Sequence, residues 1–191
     1  MSTIVPIHSI AGIAVAATLS LSGCSDNRQT QAPTAPQAKH IPQTSVTQRF
    51  AGHEFTVPSG WTTEKASGGA SGSLLLLAPQ IEDNWQANVF LEARVDQEKR
   101  SLEQSLADLA PNLKVRKAQF TELSRKTGKL PGGIEYGLLE YSCTQQGTNL
   151  REWEVVVELA GGNRLFILAS SPLSRWDKYQ PLFRSLLDSL H

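Results

Sequence analysis

Three runs of residues near the end of the chain follow one another closely, and they favour an antiparallel sheet. The runs are 134–144, 150–159 and 164–169, and short glycine-containing segments at 145–148 and 161–163 separate them. Connections this short join neighbouring antiparallel strands. The last run is apolar on both faces, which predicts a central strand that is covered on both sides.

The second run has the clearest alternation in the chain. Side chains of a strand point to opposite faces in turn, so the alternation predicts one apolar face and one acidic face. We expect the apolar set to point into the core and the acidic set to face water. The inward set is Trp153, Val155, Val157 and Leu159, and the outward set is Glu152, Glu154 and Glu158.

Earlier segments predict further strands and one helix. Strands are expected as a pair within 48–57, then at 74–78, 88–95 and 115–124. Ser101 with Gln104 has the capping-box pattern of a helix start, and Pro111 predicts that this helix ends near Leu109.

A second helix is predicted at the end of the chain. Ser174 with Asp177 suggests its start, and Pro181 should kink or restart it. An apolar stripe at helical spacing predicts that this helix packs on the sheet. The stripe consists of Leu182, Phe183, Leu186, Leu187 and Leu190.

The first 23 residues contain no charged side chain, and their apolar stretch from Ile10 to Leu21 is too short for a typical membrane span. A short apolar stretch followed by small residues predicts a signal peptide at 1–23, although the positive charge usual near its start is missing. Leu21, Ser22, Gly23 and Cys24 resemble the lipobox of bacterial lipoproteins. That resemblance implies cleavage before Cys24, acylation of Cys24 with fatty acids such as palmitate, and anchoring to the membrane through these acyl chains. By resemblance to enterobacterial lipoprotein sorting, Ser25 after the cysteine implies the periplasmic face of the outer membrane.

The polar, proline-containing segment 24–47 is predicted to be a disordered tether, which leaves 48–191 as one globular domain. The 18 basic and 18 acidic residues balance. This balance gives no electrostatic reason to expect a nucleic acid partner.

Chemical motifs are scarce in the domain. No histidines have ligand spacing and no nucleophile motif is present, so we expect no catalytic residue, no metal and no cofactor. Cys143 would be the one thiol left after lipidation, and its strand-like surroundings predict burial. Trp85 is predicted to lie in a polar loop and is the candidate partner contact.

A further resemblance rests on four features of the sequence. They are the segment Phe55-Thr56-Val57-Pro58-Ser59-Gly60-Trp61, the strand 137–141, the hairpin into 164–169, and Ser174-Arg175-Trp176-Asp177 with the stretch 183–190. These residues resemble the PsbP-like superfamily, which includes the DcrB-like bacterial lipoproteins. The resemblance covers about 50–191. It implies an α+β fold, in which helices flank a mainly antiparallel sheet of about six strands in an α/β/α sandwich.

Members of that superfamily mostly act by binding, as photosystem subunits, a phage-receptor-linked lipoprotein and secretion chaperones. We therefore expect a lipid-anchored, non-enzymatic periplasmic domain that engages an unknown envelope protein. Two alternatives stay open: a carrier of a small apolar or lipid ligand, and an immunity protein against a periplasmic toxin.

Overall fold

The computed structural model describes residues 45–66, 72–95 and 100–191, and the predicted signal peptide and nearly all of the tether lie outside these ranges. Nine strands and two helices are described. They are β1 Val46–Phe50, β2 His53–Val57, β3 Thr62–Ala66, β4 Ser73–Glu82, β5 Trp85–Val95, α1 Leu102–Arg116, β6 Ala118–Lys129, β7 Glu135–Gln145, β8 Thr148–Glu158, β9 Asn163–Pro172 and α2 Trp176–Asp188. The first described strand begins two residues before the predicted domain start.

Seven of the strands form one antiparallel sheet in the order β3-β4-β5-β9-β8-β7-β6. β1 and β2 form a separate hairpin. The fold class is α+β with a mainly antiparallel sheet, as predicted, and the large sheet has seven strands where about six were expected. The strand predicted to be central, β9, is the fourth of the seven.

α2 packs on one face of the sheet and forms the larger core there. Phe183, Leu186, Leu187 and Leu190 are all buried, which confirms the prediction that the apolar stripe packs on the sheet. The β1–β2 hairpin adds Phe55 and Val57 to the same core.

α1 packs on the other face, over one side of the sheet. Its neighbours are β6, β7 and β8. Leu106 and Leu113 of the helix join Leu139 and Val156 of the strands in a second, smaller core. The helix lies very close to β7, because a Cβ atom built on Gly137 would be 2.9 Å from a methyl group of Leu106.

The predicted end of α1 is wrong, because the helix continues through Pro111 to Arg116. Pro111 is exposed, so its missing N–H leaves no buried group without a partner. The side-chain amide Nδ2 of Asn112 donates to the carbonyl of Asp108 at 2.8 Å, and Leu113 is buried beyond the proline. The burial of Leu113 thus holds the helix together past a residue that usually ends it. β6 accordingly starts at Ala118, later than the predicted 115.

The predicted cap of α2 is also wrong. Residues Leu173–Arg175 form a 3₁₀ turn, and the helix begins at Trp176 without a side-chain cap. The hydroxyl of Ser174 bonds to the carboxylate of Asp83 in the β4–β5 turn instead. Pro181 lies inside a helix that continues without a break.

Candidate functional site

The acidic residues of β8 do not form a solvated row, which corrects the sequence-based prediction. Glu152 is fully buried and Glu154 is half-buried. Alternation along a strand shows which residues share a face, but not whether that face is covered. Here α1 lies over β6–β8, so the acidic face is largely internal.

Glu152 is held by a cation at the end of α1. Lys117 donates to one carboxylate oxygen of Glu152 at 2.9 Å and to the amide oxygen of Gln145 at 3.2 Å. The thiol of Cys143 lies 3.4 Å from the same carboxylate oxygen. Lys117, directly after α1, thus supplies the positive charge that compensates the buried carboxylate of Glu152.

Three buried polar groups lie side by side around this ion pair. Tyr141, Glu152 and Ser170 occupy directly opposed positions on β7, β8 and β9. In the described part of the chain, the hydroxyls of Tyr141 and Ser170 and the second oxygen of Glu152 have no hydrogen-bond partner. Buried polar atoms of this kind are commonly bridged by internal water.

The thiol of Cys143 is buried, as predicted, and its surroundings disfavour the charged thiolate form. Burial raises its pKa to about 12, and the carboxylate of Glu152 adds to the effect. Burial, together with the nearby Glu152 carboxylate, also raises the pKa of Tyr141 well above its ordinary value. The thiolate is the reactive form of cysteine, so Cys143 is protonated and unreactive at neutral pH.

Beyond α1, the same face of the sheet carries a patch of apolar side chains that we call the open face. It comprises Leu75, Leu77, Phe90, Leu168 and the carboxyl of Glu154. The four apolar side chains are half-buried and belong to neither core. Among the elements that the structure describes, α1 packs on the neighbouring strands and α2 packs on the opposite face. An apolar patch on a surface often marks a place where another molecule binds.

Glu154 lies at the border between the open face and α1. On the sheet it is directly opposite Leu139 on one side and Leu168 on the other. No described cation lies within ion-pair distance of it. Burial raises the pKa of Glu154 to about 7, and the negative charge of Glu152 adds to this effect. Lys117, Arg116 and Arg94 oppose the increase in pKa only in part.

This shift predicts a specific pH dependence of stability. The folded protein keeps the proton of Glu154 up to about pH 7, whereas the unfolded chain loses it near the ordinary 4.5. Its contribution to the free energy of unfolding should therefore be complete below pH 4.5 and lost as the pH rises to 7. Urea unfolding at several pH values should show a decline that is weaker in E154Q and unchanged in E135Q, whose carboxylate is exposed. Parallel curves for the wild type and E154Q would contradict the assignment.

Of the predicted site residues, only Trp85 lies in the described part of the chain. Leu21, Ser22, Gly23 and Cys24 lie outside the described residues. The predicted loop position of Trp85 is wrong, because Trp85 is the first residue of β5 and pairs with Glu82 of β4. Its side chain is half-buried and packs against the smaller core. Its role as a partner contact stays a prediction. The open face was missed at the sequence level, because its strands look like ordinary core strands until the coverage by helices is known.

The described residues offer neither a metal site nor a membrane-spanning helix. No group of three or more His, Cys, Asp or Glu residues there could hold a metal ion. Neither helix within residues 100–191 is long and apolar enough to cross a membrane.

Comparison with known proteins shows similarity at the level of structure. No family model and no curated relative matches the sequence. The cyanobacterial PsbP (CyanoP) from Synechocystis aligns with a TM-score of 0.61 at 17% identity, covering 81% of this chain and 95% of that chain. LpqN, involved in cell envelope biogenesis of Mycobacterium tuberculosis, aligns with a TM-score of 0.56 at 14% identity, covering 80% and 86%. The Ran-binding protein Mog1p from Saccharomyces cerevisiae has a TM-score of 0.54 at 11% identity, covering 78% and 95%. The chain therefore has a PsbP/Mog1-like fold.

Proposed function

We propose that this chain is a non-enzymatic binding domain that engages a protein partner at the cell envelope through its open face. The observation that carries the proposal is the row of half-buried apolar side chains beside α1, on a face of β4, β5 and β9 over which neither described helix packs. Burial of apolar surface is the main driving force of protein association. A partner that covers Leu75, Phe90 and Leu168 would complete this side of the fold as α2 completes the other.

The structural neighbours support this class of function. CyanoP is a cyanobacterial PsbP, LpqN takes part in cell envelope biogenesis, and Mog1p binds Ran. Two of these descriptions concern binding or the envelope rather than catalysis. The role that we assign here, binding without chemistry at an envelope site, agrees with them.

The lipid anchor belongs to the same proposal. Acylation of Cys24 would attach the chain to a membrane, and the segment up to residue 44 would let the domain reach partners at some distance from it. On the pattern around Cys24 and Ser25 we assign the domain to the periplasmic face of the outer membrane.

A small apolar ligand is less well supported. Between α2 and the sheet lies a cavity of about 10 Å³, lined by Val155, Ile167, Phe183 and other core side chains. This volume has room for no more than one water molecule. A fatty acid or another lipid does not fit there.

Site-specific photo-crosslinking in cells tests the proposal. Replacing Phe90 with p-benzoylphenylalanine should give a discrete cross-linked protein, because this ring lies on the open face. The same residue in place of Gln180, which is exposed on α2 in the opposite layer, should give none. In a Cys24→Ser background the protein should leave the membrane fraction and the cross-linked product should decrease. Equal labelling from both positions, or none from position 90, would refute the open face as the binding surface.

A further inference from the structure

We infer that the partner places a cationic side chain, a lysine or an arginine, against Glu154 within an otherwise apolar contact. This inference rests on the proposed function and names the chemistry of the partner. Its basis is the position of one carboxyl group on the open face and the contacts that the basic side chains around it make with other groups.

The carboxyl of Glu154 is surrounded by apolar positions on its own sheet. Leu139 and Leu168 are its direct neighbours on β7 and β9, and Phe90 follows Leu168 on β5. A partner that covers Leu168 and Phe90 must therefore cover Glu154 as well. Removing a carboxyl group from water without a hydrogen-bond partner is strongly unfavourable.

The basic side chains nearby already have other partners. Lys117 pairs with Glu152 at 2.9 Å, and Arg94 pairs with Glu92. Arg116, in the last turn of α1, donates to the carbonyl of Asn112 at 3.4 Å. Within the described residues none of these three groups bonds to Glu154, and Glu152 next to it adds negative charge. Since no described cation bonds to Glu154, we assign the compensating positive charge to the molecule that docks.

Two other occupants fit this chemistry less well. A purely apolar partner would leave the carboxyl buried and unpaired. A second copy of this chain docked by the same face around a two-fold axis would bury two Glu154 carboxyls in one interface, because each copy contributes the same residues. Like charges or two desolvated carboxyls would oppose that dimer. A basic residue flanked by apolar residues satisfies both the charge and the surface.

The test combines binding and stability in the same variants. The probe is the protein captured by p-benzoylphenylalanine at position 90 in cells, quantified for the wild type, E154Q, E154L and E154K. E154Q and E154L should lower the capture about tenfold, the effect of a lost charge-assisted hydrogen bond on affinity. E154K should reduce it to background. The control E135Q, an exposed carboxylate on the same sheet, should stay within about twofold of the wild type.

Stability measurements exclude a trivial loss of fold. E154Q and E154L remove an unpaired carboxyl, so at pH 8 both should unfold at the same or a higher temperature than the wild type. Weaker capture by an equally or more stable protein is the result that the inference requires. The inference of a basic partner residue is overturned if E154Q and E154L capture as much protein as the wild type. It is also overturned if the cross-linked partner peptide contains no lysine or arginine. The proposed function fails separately, when the wild type captures nothing from position 90.

Discussion

Replacing Lys117 with methionine is expected to destabilise the folded domain by about 3 kcal/mol. This is the lower end of the range for removing one partner of a buried ion pair, and Lys117 retains some exposure. The variant leaves Glu152, which is 0% exposed, without its cation. Urea unfolding followed by circular dichroism measures the change.

Two further variants separate the ion pair from other effects of the substitution. Lys114→Met changes an exposed lysine in the same helical turn and should cost less than about 0.5 kcal/mol. The double variant K117M/E152L should recover most of the lost stability, because an apolar pair can replace a buried ion pair. A cost below about 1 kcal/mol for K117M, or no recovery in the double variant, would show that the ion pair does not hold α1 on the sheet.

Truncating Phe183 to alanine is expected to destabilise the protein by about 3–5 kcal/mol, the usual cost of removing a buried aromatic ring. Phe183 is 2% exposed and lies at the centre of an aromatic group between α2 and the sheet. Its ring centroid is 5.9 Å from that of Trp176, 6.1 Å from that of Trp61 and 6.4 Å from that of Trp153. Removing it leaves these rings without a common neighbour. For a domain of this size the melting temperature should fall by roughly 10 °C.

The matched control is Leu173→Ala, which removes an apolar side chain that is 46% exposed just before α2. Its effect should stay within about 0.5 kcal/mol. Phe183→Leu should lie between the two, since it keeps part of the buried volume. If F183A is no less stable than the Leu173 control, α2 does not form the core described here, and the layer order would need revision.

The sheet was predictable because its signal is local. Two-residue alternation and nearby glycines fix the pairing of β7, β8 and β9 within about forty residues of sequence. The apolar stripe of α2 was equally clear, because period and burial agree along one helix. The capping box at Ser101 and Gln104 is present as expected, with both reciprocal hydrogen bonds.

The failures share a different cause, since each depends on residues that are far apart in sequence. Pro111 did not end α1, because Leu113 beyond it packs on the sheet. Ser174 did not cap α2, because Asp83, ninety-one positions earlier, binds its hydroxyl. The burial of Glu152 on β8 depends on an ion pair with Lys117, which lies at the C-terminal end of α1. No local sequence pattern predicts contacts between residues this far apart. The open face could not be predicted either, because it depends on where the helices pack.

The outer strand β6 has a consequence for the way in which partners can bind. Its twelve residues are nearly all exposed, and Arg125, Lys126 and Lys129 lie along it. The pairing with β7 is interrupted at two places by register shifts. Charged, irregular edges resist the addition of a foreign strand. The addition of a partner's strand at β6 is thus disfavoured, and so is edge-to-edge aggregation between copies of the protein.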